Sequence, residues 1–403
     1  MANKSANSDL KKRADGVFVG NYARYPTAMV SGRGCVLVDA DGKEYLDFLS
    51  GIAVCSLGHC HPAVTEAICN QADTLVHVSN LYYTRPQTEL AEMLTANSFA
   101  EKVFMANSGA EANEAAIKLA RIASDKGRYE IISLSGSFHG RTLATVAATG
   151  QPKFHEGFEP LPEGFVHAPF GDLAALEALI TPVTCAIMCE PLQGEGGVRL
   201  LEPDYLAGIR SLCEKHQLLL IFDEVQTGMG RTGSLFAYEQ LGVTPDIMTI
   251  AKALGNGMPI GAMLTTDRLA SFFVPGTHAS TFGGNPVVSA AAVATLKCMT
   301  EDGFLEEVRH RGEYLGNSLN GLVQRFPALL EGERGMGLIR GLILTEAGRD
   351  KGSDIVNRMF ENGFLINFAG NVVLRFVPPL IVSTKEIDRL VAGLAEVLAE
   401  MGG

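Results

Sequence analysis

The 403-residue sequence lacks an excess of positive charge, a long apolar run and any repeated segment. Its 33 lysines and arginines are outnumbered by 45 aspartates and glutamates, which gives a formal net charge of −12. Without a basic stripe, nucleic acid is not expected as the main partner, whereas local arginines can still bind small acidic substrates. No apolar run is long enough to span a bilayer. The polar start MANKSANSDLKKRADG has no apolar segment of the kind that a secretory signal needs, so we expect a cytoplasmic protein without a membrane partner.

The cysteines indicate neither a disulfide framework nor a metal site. Eight cysteines stand at irregular spacings, and several lie inside apolar runs. In a cytosolic chain of this length they are expected to be reduced core residues. His59, Cys60 and His61 form a tight cluster of metal-ligating types, but no second half-site accompanies them. We therefore expect no bound metal.

Short apolar runs alternate with stretches of helical periodicity between residues 61 and 285. The runs occupy residues 103–105, 131–134, 185–188, 218–222 and 247–250. Each run is bounded by turn residues, as is typical of a strand that is buried on both faces. The alternation predicts the α/β fold class, with a mostly parallel sheet that has helices on both faces.

The two ends of the chain are expected to form a smaller α+β domain beside the large one. Its predicted elements are a loose arm over residues 1 to about 20, a hairpin that turns at Asp41 and Gly42, strands over 337–344 and 372–376, and a last helix with a Ser383 and Glu386 capping box. A capped helix that begins at Asn285 and Pro286 is predicted to link the two units. The expected boundaries are residues 1–60 for the N-terminal part of the small domain, 61–285 for the large domain, and 286–403 for the linking helix and the C-terminal part.

Two of the apolar runs end in residues that can do chemistry. The run 218–222 is followed by Asp223, and the run 247–250 is followed by Ala251 and Lys252. The carboxyl ends of parallel strands carry the functional groups of open α/β sheets. Pyridoxal phosphate needs a lysine that holds it as a Schiff base and a carboxylate beside its ring nitrogen, so this pair suits that cofactor. A structural salt bridge would use the same two residue types, and these two residues alone leave both interpretations open.

A turn of small residues follows the run 103–105. Ser108, Gly109 and Ala110 stand at the start of a predicted helix, where free amides and the helix dipole favour an anion such as phosphate. Ser108 together with Glu111 also matches an ordinary capping box, so this turn by itself is only weak evidence for a phosphate site.

Two further turns contain candidate binding residues. In SFHGRT, Phe138 can stack on a planar ring and Arg141 can clamp a carboxylate in bidentate fashion. In EPLQGEGG, the glycines around Glu195 indicate a backbone held tightly beside a site. Taken singly, the first turn is better explained by a core phenylalanine and a surface arginine. A plain turn after a strand would look similar to the second.

The segment GMGRTG over residues 228–233 matches the glycine pattern of a dinucleotide site. In such a site the glycines directly follow a strand and open a helix, and an acid ends the next strand. Here DEVQT separates the strand from the glycines, Asp246 begins the next strand, and Lys252 ends it. The pattern therefore favours the pyridoxal interpretation over a nicotinamide one.

Together the motifs resemble those of the class III (ornithine-type) pyridoxal-phosphate aminotransferases. The family's order is followed by NSGAEANEAAIKLAR, FHGRT, EPLQGEGGV, LLIFDEVQTGMGRTG, DIMTIAKALGNGMPIGA and STFGGNP. The resemblance extends from GIAVCSLGHCHPAV to LRFVPPLIVS, while Cys55 and the stretch NYARYPTAM depart from the family pattern. It implies fold type I, with a large seven-stranded, mostly parallel sheet domain and a small α+β domain from both termini.

The resemblance implies cofactor-binding roles for matching residues. Lys252 would carry pyridoxal phosphate as a Schiff base and later shuttle a proton. Asp223 would pair with the ring nitrogen and Gln226 with the ring hydroxyl. The cofactor ring would lie between Phe138 and Val225. The phosphate would be held by Ser108, Gly109 and Ala110, together with Thr281 from the partner subunit of a homodimer.

The resemblance also implies substrate-binding roles for four residues. Arg141 would bind the side-chain carboxylate of glutamate or the α-carboxylate of acetylornithine, and Ser280 would assist in substrate binding. Arg375 would bind the α-carboxylate of glutamate or 2-oxoglutarate. Glu195 would pair with Arg375 whenever that carboxylate is absent.

The implied reaction is a ping-pong transfer of an amino group from N2-acetylornithine to 2-oxoglutarate, as in arginine biosynthesis. Its products are N-acetylglutamate 5-semialdehyde and glutamate. Ornithine, succinylornithine, succinyldiaminopimelate and 4-aminobutyrate are alternative donors. Glutamate-semialdehyde aminomutation fits less well, because Arg375 in LRFVPP suits a dicarboxylate acceptor. A nicotinamide dehydrogenase would need GMGRTG to bind pyrophosphate, and a binding protein without catalysis would not need both Lys252 and Asp223.

Overall fold

A computed structural model describes residues 5–402, so residues 1–4 of the predicted N-terminal arm and residue 403 lie outside the described part of the chain. The helices are α1 (Ala6–Asp15), α2 (Ser50–Ala53), α3 (Pro62–Thr74), α4 (Arg85–Ala96), α5 (Gly109–Ala123), α6 (Leu143–Ala148), α7 (Leu173–Ala178), α8 (Pro203–His216), α9 (Tyr238–Leu241), α10 (Asp267–Ala270), α11 (Pro286–Met299), α12 (Phe304–Arg325), α13 (Glu346–Glu361) and α14 (Thr384–Glu400). In residues 5–402, no helix has both the length and the apolar character needed to cross a membrane.

Within the described residues, the strands form one large sheet and three smaller ones. They are β1 (Met29–Arg33), β2 (Val36–Asp39), β3 (Glu44–Asp47), β4 (Lys102–Ala106), β5 (Glu130–Leu134), β6 (Phe165–Ala168), β7 (Thr184–Cys189), β8 (Leu192–Gln193), β9 (Arg199–Leu200), β10 (Leu219–Asp223), β11 (Ile247–Ile250), β12 (Gly261–Thr265), β13 (Leu330–Met336), β14 (Ile339–Leu344), β15 (Phe364–Leu365), β16 (Asn367–Ala369) and β17 (Val373–Phe376).

The large sheet has seven strands in the order β4-β12-β11-β10-β7-β5-β6. β12 is antiparallel to both of its neighbours, and the other pairings are parallel. Every residue of β7, β11 and β12 is buried, which explains why these strands read as continuous apolar runs. The predicted mostly parallel seven-stranded sheet is confirmed, and the antiparallel direction of β12 is an addition to it.

Helices cover both faces of this sheet. Ile221 of β10 belongs to the apolar cluster that contains Leu119 of α5. Its neighbours Leu220 and Phe222 belong to a different cluster, which contains Ile209 of α8. Because successive side chains of a strand point to opposite faces, α5 and α8 lie on opposite sides of the sheet, as the sequence predicts.

Both ends of the chain contribute to the smaller sheets. One has the order β1-β2-β3-β15 and another β13-β14-β17-β16. In the first, β2 and β3 form the predicted hairpin, and β15 pairs with β3 in parallel. The helix α11, predicted as a link, packs against α3 and α4. The domain boundaries at residues 60 and 285 stay a prediction.

Part of the predicted N-terminal arm is not loose, because α1 occupies Ala6–Asp15. Ser5 caps this helix, and the buried side chain of Asn7 donates hydrogen bonds to Asp39 at 2.9 Å and to Asp41 at 2.8 Å. These contacts attach α1 to the hairpin of β2 and β3. The prediction of a loose arm is therefore wrong for Ala6–Asp15, since polar contacts hold a helix that has little apolar surface of its own.

Candidate active site

A cavity of about 370 Å³ lies where β10 and β11 end and α5 begins. Because β4, β10 and β11 point the same way, the residues that follow them meet at one edge of the sheet. Ten of the predicted site residues line this cavity: Ser108, Gly109, Ala110, Phe138, Arg141, Glu195, Asp223, Val225, Gln226 and Lys252.

Lys252 lies at this edge, directly after β11 and Ala251, and is partly buried. It has a left-handed backbone with a φ of 45°, a conformation that costs a non-glycine residue about 1–3 kcal/mol. Burial is the main reason why the pKa of Lys252 is lowered, and Arg375 lowers it further, against the opposite effects of Glu195 and Asp223. A larger neutral fraction of the amine makes it a better nucleophile and base near neutral pH.

The carboxylate of Asp223 is oriented by three neighbours. Its Oδ2 accepts a 2.8 Å hydrogen bond from Asn113 and lies 2.8 Å from Nδ1 of His139. Its Oδ1 accepts a hydrogen bond from the backbone of Val225. Thr249 donates to the amide oxygen of Asn113 at 2.6 Å, which turns the amide nitrogen toward Asp223. The acid is thus held in one orientation at the floor of the cavity.

Asn113, His139 and Glu190 also line the cavity and were not assigned a role from the sequence. Asn113 stands out only as a polar residue on the alanine-rich buried face of α5, and His139 only as part of FHGRT. Burial, followed by the charge of Asp223, raises the pKa of Glu190 well above its usual range. The low-polarity surroundings and the charge of Asp223 thus both disfavour the charged form of Glu190.

The N-terminus of α5 forms one wall of the cavity. Ser108 caps the helix, but the Glu111 carboxylate accepts from the backbone and side chain of Asn107 at 2.8 Å rather than from Ser108. The predicted reciprocal capping box is therefore only half formed. A Cβ at Gly109 would lie 2.8 Å from a methyl group of Val225, so only glycine allows this close approach. The first amides of the helix are left for an anion.

An ion pair connects Glu195, which lines the cavity, to Arg375 behind it. Arg375 of β17 is fully buried, and its Nη1 lies 2.7 Å from Oε1 of Glu195. The same nitrogen donates to Gln226 at 3.3 Å, and Nε donates to Asn367 at 3.1 Å. Nη2 is buried and has no hydrogen-bond partner in the described residues 5–402. Burial raises the pKa of Glu195, but Arg375 and Lys252 outweigh that effect, so the pKa is lowered.

Arg141 and the two residues of the STFGGNP motif lie toward the surface. The guanidinium of Arg141 stands 4.2 Å from the ring centre of Phe154. Ser280 does not line the cavity but accepts a 3.2 Å hydrogen bond from Asn107, which does. Thr281 is exposed and lies away from the cavity of its own chain. In a single chain, ten of the thirteen residues assigned to the cofactor or substrate line the cavity, and Ser280, Thr281 and Arg375 do not.

Residues 19–398 match the family model for class-III aminotransferases, and the chain belongs to this family. Enzymes of this family use pyridoxal 5′-phosphate, which is therefore the cofactor of the chain. The acetylornithine aminotransferases of Myxococcus xanthus and of Caldanaerobacter subterraneus are 49% and 52% identical to it, over 95% and 94% of this chain and 97% and 96% of theirs. The solved N-acetylornithine aminotransferase of Stenotrophomonas maltophilia is 36% identical, with a TM-score of 0.82 over 94% of this chain and 97% of that one.

The cavity fits this cofactor on three counts. Lys252 offers an amine with a lowered pKa, as a Schiff-base lysine requires. Asp223 offers an oriented carboxylate for a ring nitrogen. At the start of α5, which lines the cavity, the first backbone amides of the helix are available to a phosphate.

Proposed function

We propose that the chain transfers the distal amino group of N2-acetylornithine to 2-oxoglutarate, which yields N-acetylglutamate 5-semialdehyde and glutamate. Two curated relatives at about half identity have the name of this activity. The observation that carries the proposal is the ion pair of Arg375 and Glu195 beside Lys252. Such a pair can open when a substrate carboxylate binds to Arg375 and can re-form when none is present. The presence or absence of this carboxylate is the difference between the two amine-bearing substrates at the end that reacts.

In the proposed mechanism, pyridoxal phosphate supplies the electron sink that makes the amine-bearing carbon of the substrate acidic. Nζ of Lys252 removes a proton from that carbon, and its lowered pKa keeps part of the amine neutral for this task. Oδ2 of Asp223 keeps a negative charge at the floor of the cavity, where Asn113 and His139 hold it in place. Phe138 and Val225 form the walls on either side of a planar ring.

The two substrates differ at the end that reacts. Glutamate brings an α-carboxylate there, and the unpartnered Nη2 of Arg375 is a buried donor that suits it. Acetylornithine brings its distal amine and no carboxylate, so the charge of Arg375 then needs Glu195. Arg141, at the outer part of the cavity, is assigned to the second carboxylate of glutamate or the single carboxylate of acetylornithine.

The proposal includes a homodimer in which Thr281 of one chain reaches the phosphate of the other. Large apolar side chains are exposed next to the loop that holds Thr281, namely Leu81, Tyr82 and Tyr83 on one side and Phe282 on the other. Asn80 ties the two segments together through a 3.0 Å hydrogen bond to the carbonyl of Ser280. Exposed apolar patches of this kind are typical of protein interfaces. A cytoplasmic location is part of the same proposal, and the eight free cysteines support it.

A donor panel tests the proposed substrate. The purified enzyme with pyridoxal phosphate is assayed with 2-oxoglutarate and, in turn, N2-acetylornithine, ornithine, succinylornithine, succinyldiaminopimelate and 4-aminobutyrate. We expect kcat/KM to be highest for N2-acetylornithine. A higher value for an amine without an N2-acyl group would reassign the donor, and turnover of glutamate semialdehyde without any acceptor would reassign the reaction.

A further inference from the structure

Arg141 is held at the outer part of the cavity by aromatic rings and not by an acid. Its guanidinium carbon lies 4.2 Å from the ring centre of Phe154 and 5.4 Å from that of Phe138. Among residues 5–402, no carboxylate comes within 4.0 Å of its nitrogens. Of the described residues that line the cavity, Arg141 is the one arginine. Its positive charge therefore remains available to a substrate.

The ring of Phe154 is fixed relative to the turn that contains Arg141. Phe154 ends a single 3₁₀ turn, and its amide donates a 3.0 Å hydrogen bond to the carbonyl of Gln151. The side chain of Gln151 donates in turn to the carbonyl of Ser137 at 3.0 Å. The next residue, Phe138, meets Phe154 edge to face, with the ring centres 5.5 Å apart. Both rings that contact Arg141 are thus tied to one another through backbone and side chain.

An aromatic ring prepares an arginine for a carboxylate in a way that an acidic residue does not. The face of the ring attracts the guanidinium but does not neutralise its charge. A long side chain loses rotamer freedom when it binds a ligand, and a side chain that already rests on a ring loses less. The Arg141 guanidinium is therefore both ordered and unpaired, which favours a bidentate contact with a substrate carboxylate.

We propose that Phe154 is a positioning residue, which holds Arg141 ready for the carboxylate that both substrates bring to the outer part of the cavity. This inference rests on the proposed function, which assigns Arg141 to that carboxylate. Phe154 lies outside the lining of the cavity, so it acts through Arg141 and does not touch the substrate. A loosened Arg141 weakens the binding of substrate and transition state alike, so loss of the ring raises KM for N2-acetylornithine and 2-oxoglutarate by the same factor and leaves kcat nearly unchanged.

A pair of donors that differ only in the carboxylate tests this role. The holoenzyme is assayed with N2-acetylornithine and with N-acetyl-1,4-diaminobutane, which has the same amine and acetyl group but no carboxylate. The preference is the ratio of the two kcat/KM values, and a partly folded variant changes both values alike. Phe154→Leu should lower the preference about fivefold, the upper value for a cation–π contact at an exposed site.

A second variant shows whether Phe154 acts through Arg141. Arg141→Gln should lower the preference further than Phe154→Leu does, because it removes the charge itself. In the Arg141→Gln background, Phe154→Leu should cause no additional loss, since the two residues then form one coupled unit. A further fivefold loss in that background would show that Phe154 acts independently of Arg141 and would overturn the proposal.

Two control variants separate the ring from its surroundings. Phe154→Tyr keeps an aromatic face and should keep the wild-type preference. Nζ of Lys153 also lies over the Phe154 ring, 4.9 Å from its centre, so Lys153→Gln removes a second cation and keeps the ring. The preference should stay unchanged, and a loss as large as in Phe154→Leu would refute the role of the ring.

The wild-type values distinguish this inference from the proposed function. If the wild type does not prefer the donor that has the carboxylate, the proposed substrate and the role of Phe154 are both wrong. If the wild type has this preference and Phe154→Leu retains all of it, the proposed function stands and only the role of Phe154 is refuted.

Discussion

Replacement of Glu195 by glutamine should slow one half-reaction far more than the other. The change removes the negative charge that lies 2.7 Å from Arg375 and keeps the shape of the side chain. With glutamate bound, the substrate's α-carboxylate supplies the missing charge. With acetylornithine bound, the buried guanidinium is left with neutral acceptors, among them Gln226 and Asn367, and with no negative charge from residue 195.

The size of this effect follows from the burial of the pair. Breaking a fully buried ion pair costs about 3–5 kcal/mol. The Arg375 side chain is fully buried, whereas that of Glu195 is 30% exposed, so we expect about 2 kcal/mol, or about 30-fold in rate. Single-turnover stopped-flow spectra of each half-reaction measure this ratio. Glu195→Gln should slow the acetylornithine half-reaction about 30-fold relative to the glutamate half-reaction.

A matched control exists in the small domain. Glu333 pairs with Arg340 at 3.2 Å, and both side chains are largely buried, so Glu333→Gln removes the same charge from a similar pair away from the cavity. It should leave the ratio of the two half-reactions unchanged. Equal slowing of both half-reactions by Glu195→Gln would refute the switch and leave Glu195 a structural role.

Four further predictions concern the catalytic groups, the dimer and the pH dependence of stability. Lys252→Ala should lower kcat about 1000-fold, and borohydride reduction of the wild-type holoenzyme should label this lysine; a label elsewhere would contradict the assignment. Asp223→Ala should raise the activation free energy of turnover by about 3–5 kcal/mol and weaken cofactor binding by less than this. A near-normal kcat in this variant would disprove the role of Asp223. If Thr281 completes the site of the partner chain, a hybrid dimer of Lys252→Ala and Thr281→Ala chains places both changes in one site and leaves the other site intact. This hybrid should recover about half of the wild-type activity. No recovery would argue against active sites that are shared between the two chains. Burial raises the pKa of Glu224 from 4.5 to about 7, so the protonated side chain stabilises the fold below pH 4.5, and this stabilisation is lost as pH rises through 7. Between these two pH values, the free energy of unfolding measured with denaturant should fall by about 3 kcal/mol more in the wild type than in Glu224→Gln. Equal falls in both proteins would exclude Glu224 as the cause.

The elements that sequence reasoning predicted are those with local signals. The strands β10 and β11 are buried on both faces, so their apolar runs mark them, and Asp223 and Lys252 follow directly. The last helix is marked by the reciprocal hydrogen bonds of Ser383 and Glu386, which are three residues apart. In each of these cases the cause lies within a few residues of the effect, and a single sequence is enough to reveal it.

The features that sequence reasoning missed depend on distant partners. The donors to Asp223 come from Asn113 and His139, which are 110 and 84 residues away, and no local periodicity encodes such distances. The direction of β12 is set by its pairing with β4 and β11. The helix α1 exists because Asn7 reaches the hairpin more than thirty residues on. Each requires knowledge of the assembled sheet.

The parallel pairing of β3 with β15 also has a consequence for the order of folding during synthesis. Lys43, just before β3, donates to the carbonyl of Glu361, 318 residues further along the chain. At about 5–20 residues per second, β3 leaves the ribosome roughly 15–60 s before its partner strand has been made. Until then this edge of β3 is an unpaired strand, open to other chains. Leu46 and Asp47 of this strand pair with Phe364 and Leu365, so the end of β3 that leads toward the active-site cavity is completed only when the C-terminal part of the chain arrives.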